Sequence, residues 1–326
     1  MPMRSSTDGN VSFGAALLNF SRTQTQLFIL IIVFVFCAIA VPEFANSRTL
    51  VNILKTVATS GIVCVGLAVV IIGGNLDLSV GSVFSLMCVV AVKMQITSVA
   101  LGLTVPIIVA VGIGALNGFL ITRFRLNSII VTLGTMSAYA GAALLYSPTV
   151  LSRPDTFYQK ISNSSLFGIP TYVYIFFIIA AILQIVLFKT KFGRSLFFQG
   201  VNPTAAEIAG INRSRTTILS MIFCSVCVAI AAILQTSRVG TGYPISGVGL
   251  EFSALTAVLL SGVSIKGGKG SALRTVIGVL MLQVILTSMI LMDIKHDWQS
   301  IVKGALILAA LWLDARQQNL RDMRGH

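Results

Sequence analysis

The chemistry-bearing residues that stand out lie in Gly73-Gly74-Asn75-Leu76-Asp77-Leu78-Ser79-Val80-Gly81-Ser82, a polar, glycine-rich break between two apolar runs. A carboxylate such as Asp77 at or near membrane depth is costly unless it faces protein or water, and glycines interrupt helices. Two readings fit. In one, a discontinuous helix offers freed backbone groups and the residues Asn75, Asp77, Ser79 and Gly81 to a passing solute, as a pathway or gate. In the other, the segment is a tight turn between helices with Asp77 or Ser79 as the N-cap of the second.

Other reactive residue types are poorly placed for catalysis. No nucleophile–base arrangement, His-Glu-x-x-His or group of metal ligands occurs, and the two histidines are His296 and His326. Asp293, Lys295, His296 and Asp297 cluster, as a solvated loop would. All five cysteines sit in apolar stretches, so neither a disulfide framework nor a zinc site is implied, and Cys224-x-x-Cys227 reads as two small packing residues. Gly267-Gly268-Lys269-Gly270-Ser271 lacks the Gly-x-x-x-x-Gly-Lys-Ser/Thr order of a phosphate-binding loop. No catalytic residue, metal or cofactor is therefore assigned to the chain.

The elements that carry these residues are membrane spans. Of 326 residues 56% are hydrophobic and 10% charged, where a soluble domain has about a quarter charged. About 20 apolar residues in a helix cross the hydrocarbon core with every backbone group paired internally. Ten such runs are read near residues 27–42, 50–72, 79–96, 100–121, 128–146, 171–188, 216–236, 252–265, 273–292 and 299–314. The fold class is all-α, a polytopic helical bundle forming one transmembrane domain over residues 1–326. A polar leader over 1–26 argues for an uncleaved first helix over a signal peptide, despite Ala38-Ile39-Ala40.

Net charge is +13, but the basic residues lie in short segments between apolar runs, which reads as orientation rather than nucleic-acid binding. With ten spans, fifteen of the twenty-three basic residues fall on one side. That bias places both termini, including the tail at 315–326, in the cytoplasm. Residues 147–170, rich in Ser, Asn and Pro, then face outward. Residues 189–215 form the largest cytoplasmic connection.

That connection encodes one short helix. Asn202 is a strong N-cap, Pro203 suits the first helical position, and Gly210 can take the left-handed stop. Two turns are unstable alone and must be held by packing. Ala205, Ala206 and Ala209 offer a close-contact face and Glu207 a charge, which suits a partner's groove; a linker resting on the membrane surface is the alternative.

From Gly249 to Ser271 small residues run along another helix, past Glu251, and end in a basic glycine turn. Residues 61–86 and 252–280 share the order apolar run, paired glycines, apolar run. A weak parallel internal repeat would explain it.

Three blocks resemble the permease subunits of bacterial ribose, allose and related monosaccharide ABC importers: Asn75 to Ser82, Asn117-Gly118 through Val131-Thr132-Leu133-Gly134-Thr135-Met136, and Gly193 to Ile211. The likeness covers most of the chain from about residue 50. It departs where Gly74 and Asn75 stand in place of paired glycines, and where Ser253 stands in place of an acidic residue two after Glu251.

The resemblance implies a permease dimer, most simply two copies of this chain, in the inner membrane. It also implies a cytoplasmic ABC ATPase that uses ATP and Mg, and a periplasmic sugar-binding protein. Asn202, Pro203, Ala205, Ala206, Glu207, Ala209 and Gly210 would couple to the ATPase. Outer Arg48, Arg153, Lys160 and Arg238 would dock the binding protein. The alternatives are a secondary transporter with Asp77 as its ion or proton site and, after it, a non-transporting membrane scaffold.

Overall fold

The computed structural model describes residues 25–152 and 156–322. Thirteen helices are among them: α1 (Thr25–Ala40), α2 (Ser47–Ile72), α3 (Val80–Gln95), α4 (Val99–Arg123), α5 (Ser128–Tyr146), α6 (Thr156–Asn163), α7 (Thr171–Lys189), α8 (Lys191–Val201), α9 (Pro203–Ile208), α10 (Arg213–Val239), α11 (Leu250–Leu260), α12 (Ala272–Leu291) and α13 (His296–Asp322). Strand β1 (Leu151–Ser152) pairs antiparallel with β4 (Thr241–Gly242), and β2 (Ser165–Leu166) with β3 (Ile169–Pro170).

Seven of these helices, α2, α4, α5, α7, α10, α12 and α13, are long and apolar enough to cross a membrane. Three shorter apolar helices, α1, α3 and α11, have 16, 16 and 11 residues. The centre is α2 with α10, wrapped by α3, α4 and α12. From Val57 to Ile72 α2 is buried almost without interruption, so its continuous apolar sequence reflects burial in protein. On α5 and α7, by contrast, Ile130, Leu145, Ile178 and Ile185 point outward, as lipid-facing side chains do.

Small residues set the close approaches. A Cβ on Gly66 of α2 would press on Cys227, and on Gly114 and Gly118 of α4 it would meet the α10 backbone at Ile222 and Ile218. Cys224 and Cys227 are buried free thiols in this packing.

Two expectations change, and a further segment gains a helix. The run read as a span over 252–265 is an eleven-residue helix, α11, about 16 Å long at 1.5 Å per residue. It stops at Ser261 because Gly262, Gly267 and Gly268 take positive φ. The connection over 189–215 holds two helices, α8 before α9, because Thr190 caps a further start by accepting from the Gly193 N–H at 3.1 Å. The segment over 147–170 carries α6, whose Tyr158 and Ser162 hydrogen-bond the α10 carbonyls of Ile233 and Leu234. Residues 1–24 of the expected leader and Arg153 lie outside the described residues.

Candidate functional site

The break after α2 is where unpaired backbone must find partners. The chain leaves helical geometry at Gly73 and Gly74, and α3 begins at Val80. Between them, the Leu76 N–H donates to Ser128 Oγ at 3.0 Å and the Leu78 N–H to Thr132 Oγ1 at 3.1 Å. Two hydroxyls one turn apart on α5 thus replace the missing helical acceptors.

Asp77 closes the same break from within. Its Oδ1 accepts from both the N–H and the Oγ–H of Ser79, at 2.9 and 2.6 Å. Asn117 Nδ2 donates to Ser79 Oγ at 3.1 Å, and the Tyr139 hydroxyl donates to Asn117 Oδ1 at 2.9 Å. The chain Asp77–Ser79–Asn117–Tyr139 therefore ties the break to α4 and α5, with Asp77 only 1% exposed. Of the two readings of this segment, Asp77 does turn the chain into α3, but by bonding Ser79; Ser79 itself makes no side-chain cap. Asn75 is set apart. With Gly74, Arg125, Ser128, Glu207 and Arg213 it lines a cavity of about 500 Å³ between the break and α9.

Below the break lies a joint of three backbones. The Gly268 N–H donates to Ile72 O at 2.8 Å, and Gln199 Nε2, buried at the end of α8, donates to Gly73 O at 3.1 Å and Thr217 Oγ1 at 3.0 Å. A Cβ on Gly200 would collide with Ile72 O and Gly268 N. The glycine breaks compared in the sequence, at 73–74 and 267–268, thus touch in space, with the end of α8 between them.

α9 follows the expected chemistry closely. Asn202 Oδ1 accepts from the Ala205 N–H at 3.0 Å, Pro203 opens the helix, and Gly210 ends it at φ 80°. The Ile211 N–H reaches back to Ala206 O at 2.9 Å. Pro203, Ala205, Glu207 and Ala209 are exposed, and Glu207 pairs with Arg213 at 3.8 Å. Ala206 is turned inward and buried, so it packs on its own bundle and leaves Ala205 and Ala209 as the small residues outside.

Near the other end of α2, Arg48 and Lys160 are exposed. Arg238 is half-buried and donates to Gln235 Oε1 at 2.9 Å.

Gly81 belongs to a second contact, the meeting of the first turns of α3 and α11. A Cβ there would collide with the Gly247 carbonyl and the Glu251 carboxylate. The Gly247 N–H donates to Ser85 Oγ at 2.8 Å, and the Gly249 N–H to Glu251 Oε1 at 3.2 Å. The polar partners Ser128, Thr132, Asn117, Tyr139 and Gln199 were not read as site residues. Asn117, a lone amide in the apolar run of α4, was the one with a signal, since an amide in a membrane helix needs a partner.

A buried helical bundle, a membrane helix broken around a bonded carboxylate, and an exposed capped helix fastened to that break define a polytopic membrane transport component. The chain belongs to the family described as branched-chain amino acid transport system / permease component, whose pattern matches residues 49–311. It is similar to the ribose import permease protein RbsC of Haemophilus influenzae, 29% identical over 89% of this chain and 92% of that protein. It is also similar to the L-arabinose transport system permease protein AraH of Escherichia coli K12, 32% identical over 93% and 94%. RbsC of Bacillus subtilis is 32% identical over 89% and 91%. No solved structure matches significantly. The resemblance to sugar importer permeases read from three sequence blocks thus extends over nearly the whole chain, and the protein is a multi-pass protein of the bacterial inner membrane.

Proposed function

We propose that this chain is the membrane-spanning permease subunit of an ATP-binding-cassette importer for a monosaccharide, ribose, allose or a related sugar. The observation that carries the reading is the direct fastening of an exposed helix to the broken helix: α9 continues α8, and Gln199 and Gly200 at the end of α8 grip the last carbonyls of α2, four residues before Asp77. Force applied to α9 reaches the break through hydrogen bonds and backbone contact, without a soft linker.

In this reading the seven long and three short apolar helices make ten membrane passes in one transmembrane domain, the half-length α11 crossing together with the irregular stretch before it, with both termini in the cytoplasm. α9 sits in a groove of a cytoplasmic ATPase, through Asn202, Pro203, Ala205, Glu207, Ala209 and Gly210. ATP and Mg are used in that partner. A periplasmic sugar-binding protein docks at the opposite end on Arg48, Lys160 and Arg238, which set its register together with Arg153, a residue outside those described. A second copy of the chain completes the pathway. Asn75, Asp77, Ser79 and Gly81 form its gate: Asn75 faces the cavity, and Asp77 with Ser79 holds the break in shape.

The test is uptake of radiolabelled D-ribose and L-arabinose into proteoliposomes holding the permease with its co-purified ATPase and binding protein. Uptake that needs ATP and ignores a protonophore is the expected result. Uptake that persists without ATP and collapses with the protonophore would overturn it in favour of secondary transport.

A further inference from the structure

The loop between β2 and β3 holds an aromatic residue in a conformation that aromatic residues avoid. Leu166 pairs with Ile169, so the loop has two residues, and both take left-handed φ: Phe167 at 51° and Gly168 at 78°. The first position of such a loop suits Asn or Asp, and a bulky residue there is strained. Phe167 recovers nothing by packing, since it is 92% exposed, with Leu166 beside it 54% exposed. A strained residue that its own chain does not pack points to a role at the surface.

The place of the hairpin says what that surface meets. The Thr171 N–H and Oγ–H both donate to Ser164 O, at 2.9 and 2.7 Å, and the Tyr174 hydroxyl donates to Leu166 O at 2.9 Å. The hairpin is thereby fastened to the first turn of α7. Tyr174, Phe177, Ile178, Ile182, Ile185 and Phe188 lie at helical spacing along one side of α7, and the last five are exposed. These are large side chains, whereas the packed faces of α2 and α4 bring Gly66, Gly114 and Gly118 to the contact. This side of α7 is a lipid face. Long helical side chains lean toward the helix N-terminus, so the Tyr174 hydroxyl holds Leu166 just beyond the first turn, in line with that face. With 19 residues α7 is about 28 Å long, close to the ~30 Å of the hydrocarbon core. Its first turn, and the hairpin with it, therefore stand at a membrane–water interface, the level at which Tyr is enriched.

We infer that the β2–β3 hairpin is an interfacial anchor, with Phe167 and Leu166 inserted among the upper acyl chains of the phospholipid leaflet at that end of α7. The ring and the leucine gain apolar surroundings, while the peptide groups of the turn stay at headgroup level within reach of water. Deeper insertion is excluded, because unpaired backbone is not tolerated in hydrocarbon. α6 lies between the hairpin and α10: the Ser164 N–H donates to Lys160 O on one side, and Tyr158 and Ser162 bond the α10 carbonyls on the other. The leaflet and the end of α10 are thus joined through α6. The inference rests on insertion of the bundle in a membrane and not on the solute it carries.

The test uses the full-length permease with its two tryptophans, Trp298 and Trp312, changed to phenylalanine. Phe167→Trp, Leu166→Trp and Ile178→Trp are made singly in this background and checked for unaltered thermal unfolding in detergent. Each is reconstituted in vesicles of dioleoylphosphatidylcholine, or of the same lipid brominated near the headgroup or near the bilayer centre. Phe167→Trp should emit at shorter wavelength than indole in water and lose more intensity to shallow bromine than to deep bromine. Ile178→Trp, about 10 Å further along α7, should show the reverse order. Where Phe167→Trp does not fold, Leu166→Trp reads the same surface. Water-like emission that neither brominated lipid quenches would overturn the anchor. Short-wavelength emission without quenching would also overturn it, in favour of a second copy of the chain, and a shift that appears only when the co-purified binding protein is added would do so in favour of that protein.

Discussion

The Gly268 amide hydrogen bonds the Ile72 carbonyl oxygen at 2.8 Å, joining the last turn of α2 to the loop after α11, and Gly200 is wedged against both atoms. A side chain at position 200 must push these two backbones apart. Gly200→Ala is expected to cost about 1–3 kcal/mol, the usual penalty of overpacking, read as earlier thermal unfolding in detergent. In the assembled importer the same change should lower the ratio of substrate-stimulated to basal ATPase activity. An unchanged ratio would show that α8 does not transmit motion to the break.

Thr132 and Ser128 supply acceptors to N–H groups that have no helical partner. Thr132→Val keeps the shape but leaves the Leu78 N–H unpaired, for an expected loss of about 1–3 kcal/mol. Thr132→Ser restores the oxygen and should recover most of it. If Val and Ser behave alike in thermal unfolding, the hydroxyl is not what holds the break.

Asp77→Asn retains the side-chain oxygen that accepts from Ser79, so it should insert and unfold much as the wild type does. Asp77→Ala leaves the Ser79 N–H and hydroxyl without their acceptor in a buried site, and about 1–3 kcal/mol of stability should go with it. The uptake assay then reports on gating: Ala should lose more uptake than Asn. Equal loss in both would assign the role to the charge itself.

On α9 the outward and inward alanines should part company. Ala209→Trp places bulk on the exposed face and is expected to abolish ATPase co-purification with little change in thermal stability. Ala206→Trp, at a buried position, is expected to destabilise the permease itself. Glu207→Arg removes an exposed ion pair worth about 0–1 kcal/mol, so its effect should show in co-purification alone. Retained ATPase binding in both Ala209→Trp and Glu207→Arg would remove α9 from the docking surface.

Some of this was legible in the chain because the signal is local. The cap Asn202, the proline after it and the stop at Gly210 each act within four residues, and α9 follows them. Apolar runs at 50–72, 100–121, 128–146, 171–188, 216–236, 273–292 and 299–314 are helices for the same reason: a run of that length and composition has no other way to pair its backbone in lipid. The run at 252–265 misled because a half-length helix followed by a glycine loop has nearly the composition of a full span. Only positive φ at Gly262 and Gly267 marks the difference.

By itself, the sequence determined that this protein lies in a membrane as a helical bundle, that a polar, glycine-rich break around Asp77 divides two apolar runs, and that a short helix is capped at Asn202. All three follow from hydropathy, glycine placement and capping, which need no distant partner. The tertiary structure alone decided what Asp77 does and where Glu251 lies. The acceptors for its neighbours' N–H groups come from Ser128 and Thr132, 52 and 54 residues further on, and the carboxylate of Glu251 meets Gly81 across 170 residues of chain. Such meetings depend on how the helices pack, and hydropathy does not encode which face of one helix lies against which face of another.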